Sequence, residues 1–156
     1  MAGHTVRAQR DIIAEAGDVW AVLTDLERIA KVLSSVDAVE RVSGEGFGPG
    51  VRWRETRHMF GKTSTEEMWV AEMDAPQRLV VKAESKNTVY ETVYELIPTG
   101  LGTRLSVTFG AQTSEASAGQ KFAWALMGPL GAKATKSALE LDLSDIASAV
   151  ESSHRR

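Results

Sequence analysis

The apolar positions of this chain keep two different periods. Between residues 51 and 109 they alternate with polar ones, as half-buried strands require, whereas from Ser117 to Val150 they recur every three or four residues, as one helical face requires. In the helical stretch Phe122, Leu126 and Leu130 fall four apart, and Leu139, Leu143, Ile146 and Val150 continue the stripe. Lys133, Lys136, Glu140, Ser144 and Ser148 take the other side. Pro129 interrupts the run: it lacks a backbone donor and clashes with the preceding turn, so a kink or break is expected there. Length agrees, because an unbroken helix would run ~50 Å through a body only roughly 40 Å across.

The chain before residue 51 reads as Val6–Ile13 strand, a helix over Val19–Leu23 with Asp18 as its N-cap, a second short helix over Leu26–Leu33, and a strand over Val36–Val42. Gly44 to Gly50 is a loop by composition; no helix follows its glycines, so it is not read as a phosphate cradle.

Four hairpin connections then set the faces of the meander, since cross-strand partners share a face. A turn at Lys86-Asn87 pairs Leu79, Val81 and Ala83 with Tyr94, Thr92 and Tyr90. A loop over Pro98–Gly102 sets Leu96 opposite Thr103 and Tyr94 opposite Leu105. The loop Asp74-Ala75-Pro76-Gln77 sets Val70 opposite Val81 and Met68 opposite Ala83, and a Gly61-Lys62 turn makes Arg57 and Glu66 neighbours. The inner face is then Trp53, Glu55, Arg57, Met59, Glu66, Met68, Val70, Leu79, Val81, Ala83, Tyr90, Thr92, Tyr94, Leu96, Leu105, Val107 and Phe109. Charged residues such as Arg54, Glu67, Lys82, Glu84, Glu91 and Arg104 dominate the other face, beside Trp69. Mostly apolar against mostly charged is the signature of an antiparallel sheet with one side on a core. The expected fold is α+β: a curved antiparallel sheet of about seven strands wrapped around a long C-terminal helix, with two short helices after the first strand.

At 156 residues, 43% hydrophobic and 25% charged, the chain suits one domain over 1–156 with room for a core or cavity, residues 151–156 being read as a frayed tail. A net charge of −3 with scattered Lys and Arg offers no basic field for nucleic acid. There is no cysteine, which fits a reducing cytoplasm, and neither a signal peptide nor a run of ~20 apolar residues that could span a membrane is present.

Several short motifs carry a family resemblance: Ile13 with Val19-Trp20 and Asp25, Gly46-x-Gly48-x-Gly50, Asp74-Ala75-Pro76-Gln77-Arg78-Leu79, Tyr94-x-Leu96-x-Pro98, and Gly102-Thr103-Arg104-Leu105. Together they resemble the START-like (SRPBCC) superfamily, within it the polyketide cyclase/dehydrase and lipid-transport group. Two positions depart from the pattern: Glu15-Ala16 stands where Ala-Pro is usual, and the Trp often found near the end of the second helix is replaced around Leu33-Ser34. The resemblance implies a helix-grip fold with a cavity between sheet and terminal helix that takes apolar small molecules. Its motifs mark turns and core positions, so a fold shared this way does not fix a reaction.

Glu55, Arg57 and Glu66 are the inner-face charges, either lining the polar end of a pocket or forming a structural ion pair. Tyr90, Thr92 and Tyr94 add hydroxyls to the wall, for ligand specificity or backbone contacts. Trp53, Met59, Met68, Val81, Phe109, Phe122, Leu126 and Leu130 are its greasy lining or plain core, and Trp20 and Trp124 are expected in the core. Trp69 pairs with Arg54 as a stacked cation and ring, or else marks a homodimer contact. His4, His58 and His154 lack metal-ligand spacing and no Ser sits in a nucleophile elbow, so no cofactor, metal or covalent nucleophile is expected. The readings that follow are a binder of a hydrophobic small molecule, a polyketide cyclase or aromatase using Glu55, Arg57 and a tyrosine hydroxyl, and a co-chaperone-like interaction domain with a filled interior.

Overall fold

The computed structural model describes residues 5–59, 61–85, 88–113 and 129–154. The order is β1 (Thr5–Ile12), α1 (Ala16–Leu23), α2 (Leu26–Val32), β2 (Val36–Ser43), β3 (Arg52–Met59), β4 (Lys62–Asp74), β5 (Arg78–Ser85), β6 (Thr88–Pro98), β7 (Thr103–Thr113) and α3 (Pro129–His154). Seven antiparallel strands form one curved sheet in the order β1-β7-β6-β5-β4-β3-β2, and α3 packs against β1, α1 and α2. The first half of the expected terminal helix, Ser117–Gly128 with Phe122, Trp124 and Leu126, lies outside the described residues.

Among the described residues α3 runs from Pro129 to His154. Leu143, Ile146 and Val150 are each 1% exposed and join Val19, Leu26, Leu79 and Leu105 in the main core. Each such side chain contributes about 1.5–3 kcal/mol by leaving water. Glu151, expected in a frayed tail, is helical, and its carboxylate accepts the Ile13 N–H at 3.1 Å.

The start of α1 differs from expectation, at Ala16 rather than Val19, while α2 starts at Leu26 as expected. Asp25 caps α2 by accepting from the Arg28 N–H, whereas Asp18 is not a cap but lies in the first turn of α1, whose N-cap is Glu15. An acid in the first turn still complements the helix dipole.

The β5–β6 register and the Met68↔Ala83 and Val70↔Val81 pairs are as the alternation predicts. The other two hairpins are each displaced by two residues. Tyr94 faces Val107 and Leu96 faces Leu105, because Ile97 and Pro98 go on pairing and Thr99 Oγ1 closes the loop by accepting from the Leu101 and Gly102 N–H groups. In β3–β4 the closing pair is Met59↔Lys62, with Gly61 at φ +76° inside the turn, a left-handed conformation that glycine takes without strain. Arg57 therefore faces Ser64, and Glu66 faces Glu55 rather than Arg57. A shift of two returns every side chain to the same face, so the inner and outer sets survive. Trp69 likewise pairs with Arg52, not Arg54; the Arg52 guanidinium lies 4.7 Å from its ring centre, and Arg54 instead bonds Glu40.

Candidate functional site

Alternation along β3 points Trp53, Glu55 and Arg57 inward, and one side chain from α3 meets them. Arg57 donates through Nη1 to both oxygens of Asp142 (3.1 and 3.0 Å) and through Nε and Nη2 to Glu55 Oε2 (3.3 and 3.2 Å). Trp53 Nε1 donates to Glu55 Oε1 at 3.4 Å. The side chains of Arg57, Glu55 and Asp142 are only 20%, 11% and 10% exposed. Asp142 was not singled out by the sequence reading, although a signal existed: it sits three residues after Leu139 and beside Leu143, on the apolar stripe of α3.

Among the described residues the cluster is short of positive charge. Burial alone would lower the Arg57 guanidinium, but Asp142 and Glu55 outweigh it and hold Arg57 above its ordinary range, so it stays ionised. Burial pushes the Asp142 carboxyl up against the pull of Arg57. Glu66, directly opposite Glu55, is also raised, first by burial and then by the Glu55 charge, with Arg57 pulling the other way. Glu66 makes no hydrogen bond or ion pair among the described residues.

The remaining sequence candidates spread along the inner face. Trp53, Met68, Ala83, Tyr90 and Ala111 form one row across five strands, and Val70, Val81, Thr92 and Phe109 the next. Tyr90 stacks on Phe109 (centroids 5.7 Å apart, planes at 12°) in a second apolar cluster, separate from the main core that holds Trp53 and Val81. Trp53, Val81 and Tyr90 are buried, whereas Glu66, Met68, Thr92, Tyr94 and Phe109 are half-buried. Tyr94 sits beside Asp142, Arg57 and Glu55, and burial raises its phenol above the ordinary range. Its hydroxyl has no hydrogen-bond partner among the described residues. The side chains of Met59 and Leu130, like Phe122 and Leu126, fall outside the described set.

Other features lie apart from this cluster. A shallow, open depression of about 440 Å³ runs between β1 and α3, lined by Arg7, Ala8, Gln9, Lys136 and Glu140. His58 is on the outer surface, 2.7 Å from Asp37. Among the described residues no three His, Asp or Glu side chains are grouped to hold a metal ion, and no helix is long and apolar enough to cross a membrane.

A curved antiparallel sheet, a long terminal helix and two short helices after the first strand define a START-like, helix-grip protein. The chain belongs to the family "Polyketide cyclase / dehydrase and lipid transport", whose pattern matches residues 3–151. No curated protein matches it by sequence. Among solved structures it is similar to TTHA0849 from Thermus thermophilus (24% identity, TM-score 0.77, covering 96% of this chain and 99% of that one). It is also similar to the Zhui aromatase/cyclase from Streptomyces sp. R1128 (16% identity, TM-score 0.77, 96% and 94% covered). A START superfamily protein from Mycobacterium smegmatis is a third (15% identity, TM-score 0.76, 96% and 99% covered). At these identities the likeness is one of fold.

Proposed function

We propose that this chain binds a small, largely apolar molecule against the inner face of the sheet. Glu55, Arg57, Glu66 and Asp142 form the polar end of the site, and Trp53, Met68, Val81, Tyr90, Thr92, Tyr94 and Phe109 its wall. The observation that carries this reading is the run of half-buried residues, Glu66, Met68, Thr92, Tyr94 and Phe109, on a face whose other described apolar members are buried. An interior filled by its own side chains leaves few such positions accessible, which counts against the filled-domain reading.

A cyclase role is the second reading, and it rests on Glu66. Glu55, Arg57 and Asp142 are committed to one another, so Glu66 is the one acid in the cluster with no bond among the described residues to a competing group.

The test is native mass spectrometry of freshly purified protein, paired with titration of the neutral fluorophore N-phenyl-1-naphthylamine. A co-purified small molecule or saturable fluorophore binding is expected in the wild type. Thr92→Phe, which fills the space before the half-buried wall, should abolish binding while leaving the melting temperature within a few degrees. Absence of any adduct and of saturable binding in the folded wild type overturns the proposal.

A further inference from the structure

We infer that the open edge of β1 is a docking surface for an extended acidic segment of a partner protein, added to the sheet as a further strand. The inference does not depend on the small-molecule reading above.

β1 stands at one end of the sheet order and pairs only with β7. Its register is unbroken from Thr5↔Gly110 to Ile12↔Thr103, so alternate residues along the whole strand turn their N–H and C=O groups away from β7. Among the described residues no hydrogen bond reaches those outward groups from Thr5 to Asp11. A row of unpaired amides is a template for another chain. The open depression beside it borders Arg7, Ala8 and Gln9 together with Lys136 and Glu140 of α3. Successive strand residues point to opposite faces, so a hollow bordered by three in a row runs along the strand's edge. α3 covers the inner face of β1, where Val6 and Ala8 are buried, and Thr5, Arg7, Gln9 and Arg10 stay exposed.

The opposite edge of the sheet is blunted. β2 shifts register twice, and its charges are engaged: Asp37 with His58, Glu40 with Arg54 and Arg41 with Glu27. Bulges and charges protect an edge in this way; β1 has no bulge.

Charge decides the occupant. Arg7, Arg10, Lys133 and Lys136 form no ion pair among the described residues, in a chain whose net charge is −3. Lys133, Lys136 and Glu140 share one face of α3, three and four residues apart. Of the acids nearby, Asp11 is already held by Arg104 at 2.8 Å, which leaves Glu140. A strand carrying Asp or Glu therefore meets free cations on both sides of the edge. A second copy of β1 would instead bring Arg7 and Arg10 against their own counterparts, and like charges across strands repel. In strand addition the main-chain bonds supply affinity and the side chains supply the choice of partner.

The test titrates fluorescein-labelled Thr-Glu-Val-Glu-Val-Glu-Thr-amide, and its counterpart with Lys for each Glu, against the folded chain by fluorescence anisotropy. The acidic peptide should bind saturably below about 1 mM and slow hydrogen exchange at alternate amides of β1. The Lys peptide should bind about tenfold or more weakly. Two acidic peptides, N-methylated at the Glu residues or at the Thr and Val residues, separate strand addition from loose charge attraction. Only one set of peptide N–H groups faces β1, so one of the two should lose binding and the other keep it. Replacing two exposed lysines together, Lys133→Glu with Lys136→Glu, should weaken the acidic peptide about fivefold or more and leave the melting temperature within a few degrees. No binding by the acidic peptide, equal binding by the Lys peptide, N-methylated peptides that behave alike, or an unchanged double variant overturns the proposal. So does sedimentation showing that the chain pairs with a second copy through protected β1 amides.

Discussion

Replacing Arg57 by Met tests whether the bridge between β3 and α3 is the electrostatic hub of the molecule. Met keeps the length and apolar stem but removes the guanidinium, leaving Asp142 and Glu55, 10% and 11% exposed, without their cation and facing Glu66. Stripping one partner from a buried pair costs about 3–5 kcal/mol, which in a chain of this size lowers the melting temperature by about 6–20 °C. Asp142→Asn removes one carboxylate charge while Glu55 still holds Arg57 through two bonds, so its cost should be about 1–2 kcal/mol. Arg57→Met must then be clearly the worse of the two. Its deficit should also shrink in acid: without the guanidinium that pulls it down, the Asp142 carboxyl, raised by burial, rises further, so the fold is stable with it protonated and penalised as pH climbs through that raised value. Urea unfolding followed by tryptophan fluorescence at about pH 5 and about pH 8 measures both differences. Equal costs for the two variants, or an Arg57→Met deficit that does not vary with pH, would refute the argument.

Three further outcomes are expected. Glu66 has a raised carboxyl in the folded chain, so its contribution is favourable below the ordinary glutamate range and is lost as pH rises through the raised value; Glu66→Gln should therefore stabilise at about pH 8 by about 0.2–1 kcal/mol, the worth of relieving a like-charged cross-strand pair, with the gain fading toward about pH 4 in calorimetric scans. Gly102→Ala would drive a Cβ into the Ile12 carbonyl oxygen and to 2.8 Å from the Ala14 nitrogen, so a loss of about 1–3 kcal/mol in urea unfolding is expected. Asp145 accepts from Ser34 N–H (2.9 Å) and Oγ (2.8 Å), tying α3 to the α2–β2 link; Asp145→Ala should cost about 1 kcal/mol and accelerate hydrogen exchange at the Ser34 amide, and unchanged exchange there would remove that tie from the account.

Among the described residues, the sequence by itself determined which side of the sheet each residue takes and, apart from the start of α1, where the helical and extended segments lie. Both follow from local periods, two for strands and 3.6 for the helix, and an error of two residues in the β3–β4 and β6–β7 registers left every face assignment intact. The family was legible for the same reason, because its motifs mark turns and core positions along one continuous stretch of chain. Pairing offsets were decided by turn geometry: Gly61 at positive φ and the Thr99 hydroxyl each moved a closing pair, and so exchanged Glu66 for Ser64 as the partner of Arg57 and Arg54 for Arg52 beside Trp69. The bridge to Asp142 could only come from the tertiary structure. An acid on the apolar stripe of α3 signals a buried charge, but its partner lies 85 residues away, and only the curl of the sheet toward the last helix brings the two within 3.0 Å.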